Sequence, residues 1–156
     1  MTLVDCNIRM YLVGSPHSLK ADAQRLLEKL ITDRERLVTD AEALKEILHG
    51  YVAIDRRSNP RSTPSSGVVD EMLSVDRGAV ERAKQIVLGY RQLSAGAAVH
   101  LSVMEQDGIH QILSFDSGPD AFPGIAVPRW AHGTVAPHLL LRRVAVALAS
   151  GMLIFS

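Results

Sequence analysis

Two aspartates stand where short apolar runs stop. Thr2-Leu3-Val4 leads into Asp5, and Gln111-Ile112-Leu113-Ser114-Phe115 leads into Asp116. Each run has the character of a buried strand, and the shorter one gains its support from the longer. If the two strands lie side by side and parallel, both carboxylates arrive at one sheet edge, where α/β proteins place their ligands. Glu46 sits within a helical stretch nearby, and Asp120 follows Asp116 in a Gly/Pro turn. Carboxylates without cysteine or histidine partners suit Mg2+ or Mn2+, which take oxygen ligands and keep several waters, leaving room for a substrate phosphate. Such an ion orients water and stabilises charge on a transferring phosphorus. The same residues have plainer readings: an Asp after a strand forms turns or caps a helix, and a glutamate on an amphipathic helix is commonly solvated. Pattern alone leaves both open.

Other chemistries find less support. His17, His49, His100, His110, His132 and His138 are scattered without a closely spaced ligand pair. His100, inside a helical stretch, reads as a packed or hydrogen-bonded ring. Ser15, Ser94 and Ser114 lack a nucleophile-elbow context, and no phosphate loop or dinucleotide fingerprint is present. Cys6 is the sole cysteine, which excludes a disulfide framework and a four-thiolate metal site and fits a cytoplasmic protein. Beside Asp5 it reads as core filler, because a neighbouring carboxylate raises a thiol's pKa.

The elements that must position these acids follow from periodicity. Asn7, Ser15 and Pro16 argue against a clean helix directly after the first strand. Leu19, Ala23, Leu26, Leu27, Leu30 and Ile31 are spaced for a helix, after which residues 34–38 return toward the sheet. Thr39-Asp40-Ala41-Glu42 reads as a capping box with Thr39 at the N-cap. The helix it opens carries Ala43, Leu44, Ile47, Leu48 and Tyr51 as its apolar positions, and Glu42 and Glu46 share a face. Residues 68–75 read as a strand. Asp76 caps a helix with Val80, Ala83, Ile86 and Val87 inward, a further helix spans 95–106 and Asp107-Gly108 ends it, and a strand runs from Ile109 to Phe115. This alternation predicts a three-layer α/β sandwich with a small, mostly parallel central sheet and right-handed crossovers.

A chain of 156 residues with 47% apolar and 22% charged residues is long enough for one domain with a real core. Lysine plus arginine balance aspartate plus glutamate at 17 each, so no whole-molecule basic field draws nucleic acid, although a cleft can still focus charge of one sign. Residues 58–67 combine Asn59-Pro60, Pro64 and serines without a large apolar residue and read as a flexible loop. Residues 130–156 hold no acid but carry Arg142, Arg143 and the apolar runs 139–141 and 144–155. A membrane span needs roughly 20 residues, so this segment reads as a packed or frayed tail. The opening lacks the pattern of a cleaved signal peptide.

Val4-Asp5-Cys6-Asn7, Thr39 to Tyr51 with Glu46 at its middle, Leu93 to His100 and Ser114-Phe115-Asp116 follow one another as the blocks of a known family do. In these blocks the chain resembles a PIN-domain protein, of the VapC type found in type II toxin–antitoxin pairs. The resemblance runs over residues 1–129, a PIN-like domain with an atypical loop at 58–67, and leaves 130–156 as a tail outside the pattern. It implies a Mg2+-dependent endoribonuclease, with Mn2+ as substitute, that hydrolyses RNA phosphodiesters in an acidic pocket. It also implies a cognate antitoxin covering that pocket, a homodimer or a toxin–antitoxin hetero-oligomer, and no membrane. Carried over by position, the catalytic and metal-ligating acids are Asp5, Glu46 and Asp116, with Asp120 auxiliary. Ser114 is the small hydroxyl residue before the last acid. One family acid is missing: in the Leu93-Ser94-Ala95-Gly96-Ala97-Ala98 frame, Ala97 takes its place and Gly96 that of an arginine. The loss of that carboxylate implies weaker metal binding and impaired activity. The alternative reading is a catalytically inactive PIN-fold protein that binds or titrates an antitoxin.

Overall fold

Leu3, Val38 and Ile112 lie in one buried cluster, and their chain neighbours Val4, Leu37 and Leu113 lie in another. That division is the strand period of two at work: successive side chains leave opposite faces, and both faces here are covered. The strands are β1 (Thr2–Val4), β2 (Leu37–Asp40), β3 (Glu71–Leu73) and β4 (Ile112–Leu113). The helices are α1 (Cys6–Val13), α2 (Lys20–Thr32), α3 (Ala41–Ala53), α4 (Arg77–Gly89) and α5 (Ala95–Gln106), and a 3-10 turn follows at Gly118–Ala121. The computed structural model describes residues 1–13, 16–53 and 69–128. The loop expected at 58–67 and the tail at 130–156 lie outside the described residues.

The sheet has the strand order β3-β2-β1-β4, and every pairing in it is parallel. Val4 stands opposite Leu113, which sets Asp5 level with Ser114. The fold is therefore the expected three-layer α/β sandwich, with the central sheet wholly parallel. One core packs α4 and α5 against the sheet through Ala83, Ile86, Ala98, Leu101 and Met104. The other packs α1 and α2 through Ile8, Leu12, Ala23, Leu26, Leu27 and Leu30. From β1 the chain adds β2 and then β3 on one side, and β4 is placed on the other side of β1. The direction of winding reverses between β1 and β4, and the crevice beyond their C-terminal ends is the ligand position of such a sheet.

Several local expectations are corrected. A helix does begin directly after the first strand, at Cys6. Asn7 does not break it, because its side chain is turned back onto the sheet edge: Oδ1 accepts from Phe115 N–H at 3.3 Å and Nδ2 donates to Asp5 at 2.8 Å. The cap of α3 is Asp40 and not Thr39. Thr39 is still within β2, and its hydroxyl donates to the Val4 carbonyl at 3.0 Å, while Asp40 Oδ1 accepts from Ala43 N–H at 2.9 Å. Leu48 on α3 and Val80 on α4 point outward, whereas Ala79 is buried. The 68–75 and 109–115 strands shrink to three and two residues. The caps of α4 and α5 match their sequence signals, with Asp76 accepting from Ala79 N–H and Ser94 from Ala97 N–H.

Candidate metal centre

β1 delivers Asp5 to the crevice, and two side-chain contacts fix how it points. Ser114 Oγ donates to Asp5 Oδ2 at 2.6 Å and Asn7 Nδ2 donates to the same oxygen at 2.8 Å. The same Ser114 hydroxyl accepts from the Asp116 backbone N–H at 3.0 Å and from Asn7 Nδ2 at 3.0 Å. One buried hydroxyl thus ties the end of β1 to the chain just after β4.

Asp5 Oδ1 faces the interior of the crevice. There His100 Nε2 stands 3.7 Å away, and a ligand atom from each of Asp5, Glu46 and His100 lies within 4.8 Å of the others. Glu46 comes from α3, which packs against α5. Gly96 allows that approach: a Cβ at this position would run into Glu46 Oε1. The Cys6 thiol donates to Glu46 Oε2 at 2.7 Å. Burial above all, then the charge of Asp5 and the bond to Glu46, push this thiol far above its usual pKa. It stays a protonated donor, not a nucleophile.

His100 is almost wholly buried. Its Nδ1 lies 2.7 Å from Asp40 Oδ2, and Asp40 is completely enclosed. A carboxylate can only accept, so Nδ1 carries a proton. Burial works against charge on the ring, but the Asp40 hydrogen bond and the charges of Asp40, Asp5 and Glu46 outweigh it and raise the pKa to about 9. Nε2 makes no hydrogen bond among the described residues.

The structure brings Asp5 and Glu46 together and adds His100. Asp116 is exposed, with Oδ1 accepting from Gly118 N–H at 3.1 Å. Asp120 is exposed in the 3-10 turn. Ser114 is buried against Asp5. Ala97 is buried in the first turn of α5 and belongs to the apolar cluster beneath it. Sequence reasoning missed His100 and Asp40 as members of the site. A signal was present for each: Asp40 ends a strand, as Asp5 follows one, and His100 lies three residues beyond Ala97, on the same helix face.

The donor set fits a divalent cation. Two carboxylates and a ring nitrogen without a hydrogen bond converge, and Asp5 is oriented by Ser114 and Asn7 as metal ligands usually are by their neighbours.

Residues 2–125 match the PIN domain family, and the chain belongs to that family. It is 53% identical over 127 residues to Ribonuclease VapC13 of Mycobacterium tuberculosis, a match covering 80% of this chain and 97% of that protein. Among solved structures it is similar to the Mycobacterium tuberculosis VapC20 toxin, which cleaves the sarcin–ricin loop, with a TM-score of 0.63 at 20% identity over 83% of this chain and 99% of that one. It is also similar to a chain of a toxin–antitoxin complex from Klebsiella pneumoniae, with a TM-score of 0.61 at 15% identity over 81% and 97%.

Proposed function

We infer that this chain is the toxin of a type II toxin–antitoxin pair, an endoribonuclease that hydrolyses RNA phosphodiesters with a divalent metal ion. The observation that carries the reading is the convergence of Asp5 and Glu46 at the switch point of a PIN sheet. The identity to a protein named as a ribonuclease, over nearly that protein's full length, supports it.

Asp5 and Glu46 would hold the ion, Mg2+ with Mn2+ as substitute, and Asp116 would join them by releasing the Gly118 N–H, with Asp120 at the rim. Bound there, the ion supplies a Lewis acid for the scissile phosphate and a source of nucleophilic water. The chain's own part is to prepare the acids. Ser114 and Asn7 occupy Asp5 Oδ2 and leave Oδ1 directed inward. Cys6 anchors Glu46. Asp40 fixes the His100 ring. Two adjacent carboxylates repel each other and the RNA backbone, so a cation is needed before substrate can enter.

A cognate antitoxin covering the crevice is the proposed partner, in a toxin–antitoxin hetero-oligomer or beside a toxin homodimer, and the cytoplasm is the proposed location. No helix among the described residues is long and apolar enough to cross a membrane.

The test is cleavage of mixed cellular RNA by purified protein with Mg2+, with Mn2+ and with chelator. Metal-dependent cleavage lost in Asp5→Asn is expected; intact RNA under both metals sinks the nuclease reading. One observation favours a second reading, an inactive PIN-fold protein that titrates an antitoxin: α5 carries Ala97 where the resemblance expects an acid. Stable co-purification with a small co-expressed antitoxin, without cleavage under either metal, would decide for it.

A further inference from the structure

We propose that the cation site of this chain is a mixed carboxylate–imidazole centre, in which His100 Nε2 binds the metal directly beside Asp5 and Glu46 and turns its preference from Mg2+ toward transition metals. The inference rests on reading this crevice as the cation site of the proposed nuclease.

Four observations converge on it. His100 is 2% exposed, and its Nε2 has no hydrogen-bond partner among the described residues. Leaving a buried ring nitrogen in that state costs stability, and native structures avoid it unless something else occupies the position. Asp40 holds Nδ1 at 2.7 Å, so when an entering cation displaces the Nε2 proton, the lone pair left there is on the nitrogen turned toward Asp5. A carboxylate behind one ring nitrogen and a metal on the other is the arrangement that metal-binding histidines adopt.

The distances agree. Ligands about 2.0–2.2 Å from one ion lie about 3–3.5 Å apart in tetrahedral or octahedral geometry. The 3.7 Å from Nε2 to Asp5 Oδ1 and the common span of 4.8 Å with Glu46 need only small side-chain adjustments to meet that spacing.

The fourth observation is the helix itself. α5 has Ala97 where the resemblance expects an acid, and carries His100 three residues on, a spacing that shares a helix face. The centre is left with two charged ligands and one neutral nitrogen instead of a third carboxylate. Mg2+ demands oxygen and gains little from imidazole, whereas imidazole suits Zn2+ and the later first-row ions.

The experiment uses untagged full-length protein freed of metal with chelator. Pulsed EPR on the Mn2+-loaded protein reads a directly bound nitrogen as 14N modulation, and calorimetry compares Zn2+ with Mg2+. The expected result is 14N modulation in the wild type and its loss in His100→Gln. That variant should weaken Zn2+ binding by at least about 10- to 100-fold, the loss seen when a metal site loses merely a group that orients a ligand, with Mg2+ affinity changed far less. Should His100→Gln fail to fold, the wild-type spectrum alone decides. Mn2+ bound without nitrogen modulation, alongside Mg2+-dependent RNA cleavage, overturns the mixed centre and leaves the nuclease reading intact. No bound ion together with no cleavage overturns both.

Discussion

His100 Nδ1 and Asp40 Oδ2 meet at 2.7 Å in a place closed to solvent, so the last residue of β2 determines which ring nitrogen of an α5 histidine faces Asp5. Asp40 has a second task, since its other oxygen caps α3. Asp40→Ala removes both: breaking a buried pair costs about 3–5 kcal/mol, and losing the cap adds about 1 kcal/mol. Asp40→Asn keeps the cap and should lose clearly less. Urea melts of the two variants measure the difference, and equal losses would show that the cap contributes nothing.

The same contact makes the metal-free protein sensitive to alkali. His100 titrates near 9 in the folded chain against about 6.5 when unfolded. A raised pKa stabilises fully below the unfolded value, and this contribution is lost as pH rises through the folded one. In the presence of chelator, Tm should hold near pH 6 and fall between about pH 6.5 and 9. The fall should be shallower in Asp40→Asn. A flat profile over that window would mean that the ring is not charged.

Gly96 separates stability from binding. An added Cβ meets the flexible end of the Glu46 side chain, which can move aside by loosening its bond to Cys6. Gly96→Ala should therefore leave stability unchanged or raise it by up to roughly 0.5–1 kcal/mol, the usual gain of alanine over glycine in a helix. Displacing Glu46 should weaken divalent-ion binding at the same time. Thermal melts and calorimetry on one sample read both; unchanged metal affinity would remove Glu46 from the site.

Ala97→Asp places a carboxylate in the first turn of α5. Metal affinity follows ligand charge count, and an acid near a helix N-terminus also gains from the dipole. Mg2+ affinity should rise on the order of tenfold, and RNA cleavage with it. The position is 7% exposed and packed in the apolar cluster, so some loss of stability should accompany the gain. Calorimetry with Mg2+ is the measurement, and an unchanged affinity would place the new carboxylate outside the site.

Ser114→Ala tests the tie between β1 and β4. The hydroxyl donates to Asp5 and accepts from Asn7 and from the Asp116 N–H. Without it, buried polar groups lose partners at about 1–3 kcal/mol, and Asp5 is less firmly aimed. Both Tm and metal affinity should fall. A loss of Tm alone would make the serine purely structural.

The layer architecture was legible because apolar period and turn chemistry agree over most of the chain. Ser94 and Asp76 cap α5 and α4 as their positions suggest, and Asp107-Gly108 ends α5. The cap of α3 was displaced by one residue because Thr39 and Asp40 are both competent caps, and only the pairing of β2 decides which is still strand. Leu48 and Val80 were misassigned because period fixes a helix face only to within a residue or so, and what covers that face is a tertiary matter.

The sequence by itself determined the alternation of strands and helices, the acids that follow the first and last strands and the glutamate at mid-helix. These follow from local spacing, which a linear chain records directly. Only the tertiary structure decided that Asp40 and Asp5, on adjacent strands, enclose His100 from α5, and that Asp116 turns to Gly118. Those partners lie far apart along the chain, and their contact depends on strand order and helix packing, so no short-range pattern encodes it.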